Sequence, residues 1–156
     1  MKQLRKYRVW FVLFLMIAVA ADRVLKNLTG TETDLTLIPG ILSLTWAKNT
    51  GISFSMFSDS NLALTVITSL IVCGVLIYTV FGKPGILRQC ALGLIAGGAV
   101  GNIIDRISVG FVHDMIRFDF IRFPVFNMAD CCIVIGAVIL AFSVIFEKDS
   151  RENGKK

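Results

Sequence analysis

Long apolar runs alternate with short polar breaks along this chain, and the runs have the length of membrane spans. Leu62–Phe81 contains no charged residue, and about 20 apolar residues suffice to cross a bilayer as a helix. Gln89–Ile104 and Cys131–Phe146 are two further uncharged runs. Each gains a turn from the residues before it, Ile86–Arg88 and Phe126–Asp130. A fourth run, Val9–Ala21, continues its apolar pattern through Val24, Leu25 and Leu28 past Asp22, Arg23 and Lys26. Helical spacing puts Asp22 and Lys26 on one face as an i,i+4 pair. The pattern predicts a single membrane domain with four transmembrane helices, at about 9–28, 62–81, 86–105 and 127–146, and a solvated tail at about 148–156. The first run has a second reading: basic residues, an apolar stretch and Ala18-Val19-Ala20 also suit a cleavable secretory signal.

Composition sharpens this picture. Hydrophobic residues make up 55% of the chain and charged residues 17%, against about 45–50% and about 25% in soluble domains. A chain of 156 residues has too little interior to hide that surplus from water, so lipid is its solvent. The net charge of +5 does not form a basic patch interleaved with aromatic residues, and no nucleic-acid partner is expected. The basic residues instead sort by side. Lys2, Arg5, Lys6, Arg8, Lys83, Arg88, Lys148, Arg151, Lys155 and Lys156 all fall on one side of a four-span chain, ten of the 16. The positive-inside rule then places both termini in the cytoplasm and the loops 29–61 and 105–127 outside. Cys73, Cys90, Cys131 and Cys132 form no CxxC pattern and read as small packed hydrophobes. With one histidine, His113, the chain lacks a good ligand set, and neither a metal nor another cofactor is expected.

The outer loops carry the polar variety. Leu35–Ile38 and Ile41–Trp46 read as two short strands around Pro39-Gly40. Trp46 and Phe54–Phe57 suit the lipid interface. Asp22, Asp105, Asp114 and Asp130 all fall near the outer helix ends. A carboxylate close to hydrocarbon is a functional candidate by default, although each can equally mark a helix end or a structural pair. In the third run Gly93, Gly97 and Gly101 recur every four residues and offer a face for close helix packing. Asn102 and Arg106 are four apart, so both can face one site. Asn127 suits an N-cap and Asp130 the first turn of the last helix. Asp114, in the loop after the third helix, and Asp130 can then converge. Two close carboxylates share one proton. The ionised member takes a proton from water, and the protonated one donates to a carbonyl or leaving amine.

Five segments, in order, carry a resemblance: Asp22-Arg23-Val24-Leu25-Lys26, Asn49–Ser55, Gly97–Arg106, Gly110-Phe111-Val112-His113-Asp114, and Phe126-Asn127-Met128-Ala129-Asp130. Together they make the chain similar to the lipoprotein signal peptidases, the type II signal peptidases of bacteria. The resemblance implies an aspartic endopeptidase of the bacterial cytoplasmic membrane with its active site near the outer face. Its substrates would be diacylglyceryl-modified prolipoproteins, cut on the N-terminal side of the lipidated cysteine. Asp114 and Asp130 match the catalytic aspartates. Asn49, Gly51, Asn102, Arg106 and Asn127 match positions that shape or support the substrate pocket, while Asp22 and Lys26, with Asp105, match structural polar positions. A small extracytoplasmic β-cradle and a short outer helix are implied as well. So is a first helix retained in the mature fold. The expected partners are the substrate and membrane lipids, and the expected state is a monomer. Arg23, His113 and Cys131-Cys132 depart from the usual pattern, and His113 beside Asp114 bears on the pH optimum. The competing classes are an ion-coupled transporter, a metalloprotease built on His113, Asp114 and Asp130, and a non-catalytic adaptor. The first calls for broken, repeated helices, the second for more ligands, and the third for no paired aspartates.

Overall fold

The computed structural model describes residues 2–51 and 61–153. Helix α1 (Lys2–Leu28) leads into a hairpin of β1 (Asp34–Ile38) and β2 (Leu42–Asn49). Helices α2 (Asn61–Phe81) and α3 (Ile86–Ser108), strand β3 (Val112–Phe118) and helix α4 (Met128–Asn153) follow.

Helix α3 is the hub. Of its apolar window 56% is buried, against 17% for α2 and for α4, so α3 packs inward while its neighbours turn apolar faces outward. The glycines explain how closely it packs. A Cβ on Gly97 would sit 2.5 Å from the Leu15 carbonyl oxygen of α1, and one on Gly98 would collide with the Ala129 carbonyl of α4. Any larger residue would push α1 or α4 away. Phe11, Leu92 and Ala96 form the buried core, flanked by Leu15, Val75 and Leu140. The outward faces carry Leu62, Ile67 and Leu70 on α2 and Val134, Ile135, Phe142 and Ile145 on α4, all exposed. Such continuous apolar surface is stable only in lipid.

Among the described residues, three helices are long and apolar enough to cross a membrane: α2, α3 and Met128–Phe146 of α4. Helix α1 has the length but carries basic residues at its start and Asp22, Arg23 and Lys26 near its end, so composition alone does not class it as a span. At the other terminus α4 remains helical through Asn153, beyond the end near 146 read from hydropathy. Glu147–Asn153 contains no proline or glycine and nothing there breaks the backbone ladder.

The β1–β2 hairpin turns at Gly40, whose φ of +71° suits glycine. Among the described residues the sheet has three strands, not two, in the order β1-β2-β3, both pairings antiparallel. Residues 112–118, read from sequence as loop, form the third strand because β2 supplies a pairing edge that no local pattern announces. Phe126 then bridges back to Ile116: Ile116 N–H donates to the Phe126 carbonyl at 2.7 Å and Phe126 N–H returns to Ile116 at 3.1 Å. This stitch ties the entry of α4 to β3. Among the described residues there is no separate short outer helix. Phe54–Phe57 and the rest of 52–60 lie outside the described residues.

Candidate active site

The site lies where the sheet meets the C-terminal ends of α1 and α3 and the N-terminal end of α4. On β2 and β3 side chains alternate faces, so Ala47 and Asn49 share a face with Val112 and Asp114. The register pairs Ala47 with Asp114 and Asn49 with Val112, which makes Asn49 and Asp114 diagonal neighbours. The Asn49 Nδ2 donates to Asp114 Oδ2 at 2.8 Å. Gly51 N–H donates to Asn49 Oδ1 at 3.0 Å, which settles the orientation of that amide and aims its NH₂ at the carboxylate.

Asp130 is held at the start of α4. Asn127 is the N-cap: its Oδ1 accepts the Asp130 N–H at 2.9 Å, and Asp130 Oδ2 accepts the Asn127 N–H at 3.2 Å. This is a reciprocal capping box, with Asp in the place of the more usual Glu. The two carboxylates are joined by amides. Asn127 Nδ2 donates to Asp114 Oδ1 at 2.6 Å and to Asn102 Oδ1 at 3.1 Å, and Asn102 Nδ2 donates to Asp130 Oδ1 at 2.9 Å. Both protons of the Asn127 amide are therefore used. Asp114 and Asn127 are essentially fully buried.

Beneath the amides lies a charge network. Lys26 Nζ contacts Asp22 Oδ2 at 2.9 Å, Asp105 Oδ2 at 2.6 Å and Asn102 Oδ1 at 3.3 Å. Arg23 Nη2 lies 2.7 Å from both Asp22 and Asp105 and donates to the Gly101 carbonyl at 3.1 Å. Asp22 Oδ1 accepts the Ala129 N–H at 3.1 Å, so one carboxylate ties α1 to the first turn of α4. Two buried carboxylates facing two cations satisfy the rule that buried charge is paired. Arg23 stands out in the sequence only as a departure from the usual pattern; its place in this network is not read there, and no local signal marks its reach to α3.

Electrostatics follow from burial. Asp114 is pushed up to about 7, chiefly by burial, with the Asp130 charge adding and the Asn49 and Asn127 amides opposing. Arg106 is half-buried and lies in the field of Asp130, Asp114 and Asp105. Its guanidinium makes no hydrogen bond to the described residues, and its backbone carbonyl accepts from Asn61 at 3.3 Å. His113 sits on the opposite face of β3 from Asp114. Its Nε2 is 3.4 Å from Thr29 Oγ1, its ring is 5.9 Å from that of Trp46, and its N–H donates to Asp105 at 3.2 Å. Burial, and after it the Lys26 ammonium, pushes the imidazole below its ordinary range, so it is neutral at pH 7. The thiols are all free; Cys132 is buried and Cys73 exposed. No group of three or more metal-binding side chains occurs among the described residues.

The structure thus brings together Asn49, Gly51, Asn102, Asp114, Asn127 and Asp130 directly, with Asp22, Lys26 and Asp105 supporting from below. A buried carboxyl near neutrality beside a second carboxylate can exchange protons with water and with a substrate amide.

Known proteins resemble this chain in sequence and in fold. A family model described as Signal peptidase (SPase) II matches residues 14–146. The chain is 37% identical to a lipoprotein signal peptidase of Chlorobium phaeovibrioides, covering 93% of this chain and 96% of that protein. It is 39% identical to one of Streptococcus pyogenes, covering 89% and 95%. Two bacterial membrane enzymes solved by the in meso method, at 2.3 and 1.9 Å resolution, superpose with TM-scores of 0.83 and 0.78. They are 25% and 26% identical; the first covers 90% of both chains, the second 86% of this chain and 91% of its own. A family match over most of the chain, together with relatives of this similarity and coverage, shows that the chain belongs to the signal peptidase II family.

Proposed function

We propose that this membrane enzyme is a lipoprotein signal peptidase of the aspartic type, with Asp114 and Asp130 as the catalytic pair. It removes the signal peptide of a diacylglyceryl-modified prolipoprotein on the N-terminal side of the lipidated cysteine. The observation that carries this reading is the pair of carboxylates joined through the amides of Asn102 and Asn127. Asp114, with its pKa near 7, holds the shared proton at neutral pH. Asp130 accepts a proton from the attacking water while Asp114 donates to the scissile carbonyl oxygen. The carbon then becomes tetrahedral. Asp130 then gives its proton to the amine nitrogen, the C–N bond breaks, and a hydroxyl of the tetrahedral carbon returns its proton to Asp114 as the carboxyl product forms, so the pair again holds one proton. Asn49 and Asn127 hold Asp114 in place throughout, and Arg106 binds backbone carbonyls of the extended substrate.

In this reading α1 is a fourth span. Val9, Val12, Leu13, Met16 and Ile17 give it an exposed apolar band, and Asp22 and Lys26 end that band at the level of the site. The excess of basic residues places both termini on the cytoplasmic side. The site then faces the outer leaflet of the bacterial cytoplasmic membrane, where one chain acts as a monomer.

The test is cleavage of a lipidated prolipoprotein by purified enzyme in detergent with a chelator present. Wild type should cleave. Asp114→Asn and Asp130→Asn should each lose about 100-fold or more, the scale of proton-transfer catalysis, while unfolding as cooperatively as wild type. Substantial turnover by either folded variant would remove that residue from the pair.

A further inference from the structure

The residues that immediately precede the two carboxylates of the site are held in the same way. His113 N–H donates to Asp105 Oδ2 at 3.2 Å, and Asp114 is the next residue. Ala129 N–H donates to Asp22 Oδ1 at 3.1 Å, and Asp130 is the next residue. Ala129 lies in the first turn of α4, where a backbone N–H has no acceptor within its own helix. Each carboxylate of the site is therefore one peptide unit from a bond to a buried acidic side chain. Asp22 and Asp105 are in turn tied to each other. Lys26 Nζ bridges their Oδ2 atoms at 2.9 and 2.6 Å. Arg23 Nη2 bridges Asp22 Oδ2 to Asp105 Oδ1, 2.7 Å from each, and reaches the Gly101 carbonyl at 3.1 Å. The close seat of Asp22 against α3 needs Gly101, since a Cβ there would lie 2.7 Å from Asp22 Oδ2.

We infer that Arg23 is a positioning residue of the reaction: by clamping Asp22 to Asp105 it fixes the separation of Asp114 and Asp130 through the His113 and Ala129 N–H groups. The inference rests on the reading of these two aspartates as the catalytic pair. Lys26 alone does not do this. It meets Asp105 at Oδ2, the oxygen that also receives the His113 N–H, and a carboxylate held at one oxygen can pivot about it. Arg23 holds the other oxygen, Oδ1, and so fixes the plane of the group and the direction in which Oδ2 meets His113. Two cations against two carboxylates also leave the clamp neutral, so no net repulsion between Asp22 and Asp105 opens it. Loss of Arg23 displaces the catalytic carboxylates relative to each other, and a misplacement of about 1 Å costs about 100-fold in rate. Arg23 is not assigned to the substrate, so its loss falls on kcat and not on KM.

Two measurements test the inference, and the first needs no activity. Backbone amide exchange is read residue by residue by NMR on labelled enzyme in micelles. In wild type His113 and Ala129 should exchange slowly. In Arg23→Met both should exchange faster, with the amides of α2 unchanged. In Asp105→Asn two cations compete with the His113 N–H for a single carbonyl oxygen, so His113 should exchange faster and Ala129 as in wild type. Fast exchange of either amide in wild type overturns the inference. So does a change at only one of them in Arg23→Met, a change at neither, or an equal rise throughout the protein. The second measurement is cleavage of a lipidated prolipoprotein. Arg23→Met should lower kcat about tenfold or more and leave KM within about twofold of wild type. Asp105→Asn should lose kcat on a similar scale, and adding Arg23→Met to it should change kcat little further, because the two side chains act as one unit. Losses that multiply in the double variant, or a loss confined to KM, overturn the inference. Failure of wild type to cleave at all would instead sink the peptidase reading, and the exchange data would still say whether Arg23 holds the two backbone segments.

Discussion

The hydrogen bond from Asn49 to Asp114 makes a quantitative claim about pH. Asn49 donates to Asp114 Oδ2 at 2.8 Å, and a donor aimed at a carboxylate favours its charged form. Burial and the Asp130 charge favour the protonated form, and the balance stands at about 7. Replacing Asn49 by Leu removes the donor at nearly constant volume. Ala would leave a space for water, which would restore a donor and blur the result. A hydrogen bond to a charged group is worth about 1.5–3 kcal/mol, and about 1.36 kcal/mol corresponds to one pKa unit. Asn49→Leu should therefore raise the Asp114 value by roughly one to two units. If Asp114 is the proton donor, activity falls as pH rises through its pKa. The descending limb of the kcat/KM profile should then move from near 7 toward roughly 8 to 9. The two carboxylates interact, so the limb belongs to the pair, but the direction of its shift does not depend on how the proton is divided. The measurement is prolipoprotein cleavage in detergent across the alkaline range. A limb that stays in place or moves to lower pH in a folded variant would refute the assignment of Asp114 as donor.

Stability carries a related signature. Asp114 in the fold stands near 7, above its ordinary 3.8. Its contribution is fully present below about pH 4 and lost as pH rises through 7, up to about 4 kcal/mol. Asp114→Asn has no proton to lose and should unfold at a higher temperature than wild type at pH 8.5, by more than at pH 5; equal shifts at both would contradict the buried-carboxyl account. Lys26→Met leaves Arg23 alone against Asp22 and Asp105, and breaking so buried an ion pair costs about 3–5 kcal/mol. Thermal unfolding within about 1 kcal/mol of wild type would show that Arg23 suffices. Arg106→Lys keeps a long cationic side chain but loses the planar fork. It should lose activity about tenfold or more if that fork binds carbonyls, and near-normal cleavage at matched enzyme levels would reduce Arg106 to a headgroup-facing cation.

Much of the framework is legible in local pattern. Helices α2, α3 and α4 announce themselves as uncharged runs because a helix in lipid must satisfy its backbone internally and present apolar side chains. The glycine spacing of α3 foretells close packing because i,i+4 positions share a face. The Asp22–Lys26 pair and the capping box of Asn127 and Asp130 are three- and four-residue relations, visible before any fold is known. The third strand is not, because Val112–Phe118 owes its conformation to β2, more than sixty residues earlier, and an isolated strand has no stability of its own. Sequence likewise separates Arg23 from its partner on α3.

What the sequence by itself determined is which segments form long apolar helices, which helix packs closely, and which acidic residues sit at helix ends. Only the tertiary structure decided how those carboxylates are wired. The register of β2 and β3 sets Asn49 diagonal to Asp114. The Phe126–Ile116 stitch brings the first turn of α4 to the same face. Asn102 on α3 closes the circuit to Asp130, and Asp22 on α1 caps the far side through Ala129. These contacts span from 10 residues, Ile116 to Phe126, to 107, Asp22 to Ala129. Local propensity acts over a turn or a strand, whereas hydrogen bonds and charge pairs depend only on distance in space. The chemistry of Asp114 is thus set by neighbours that the chain order does not place beside it.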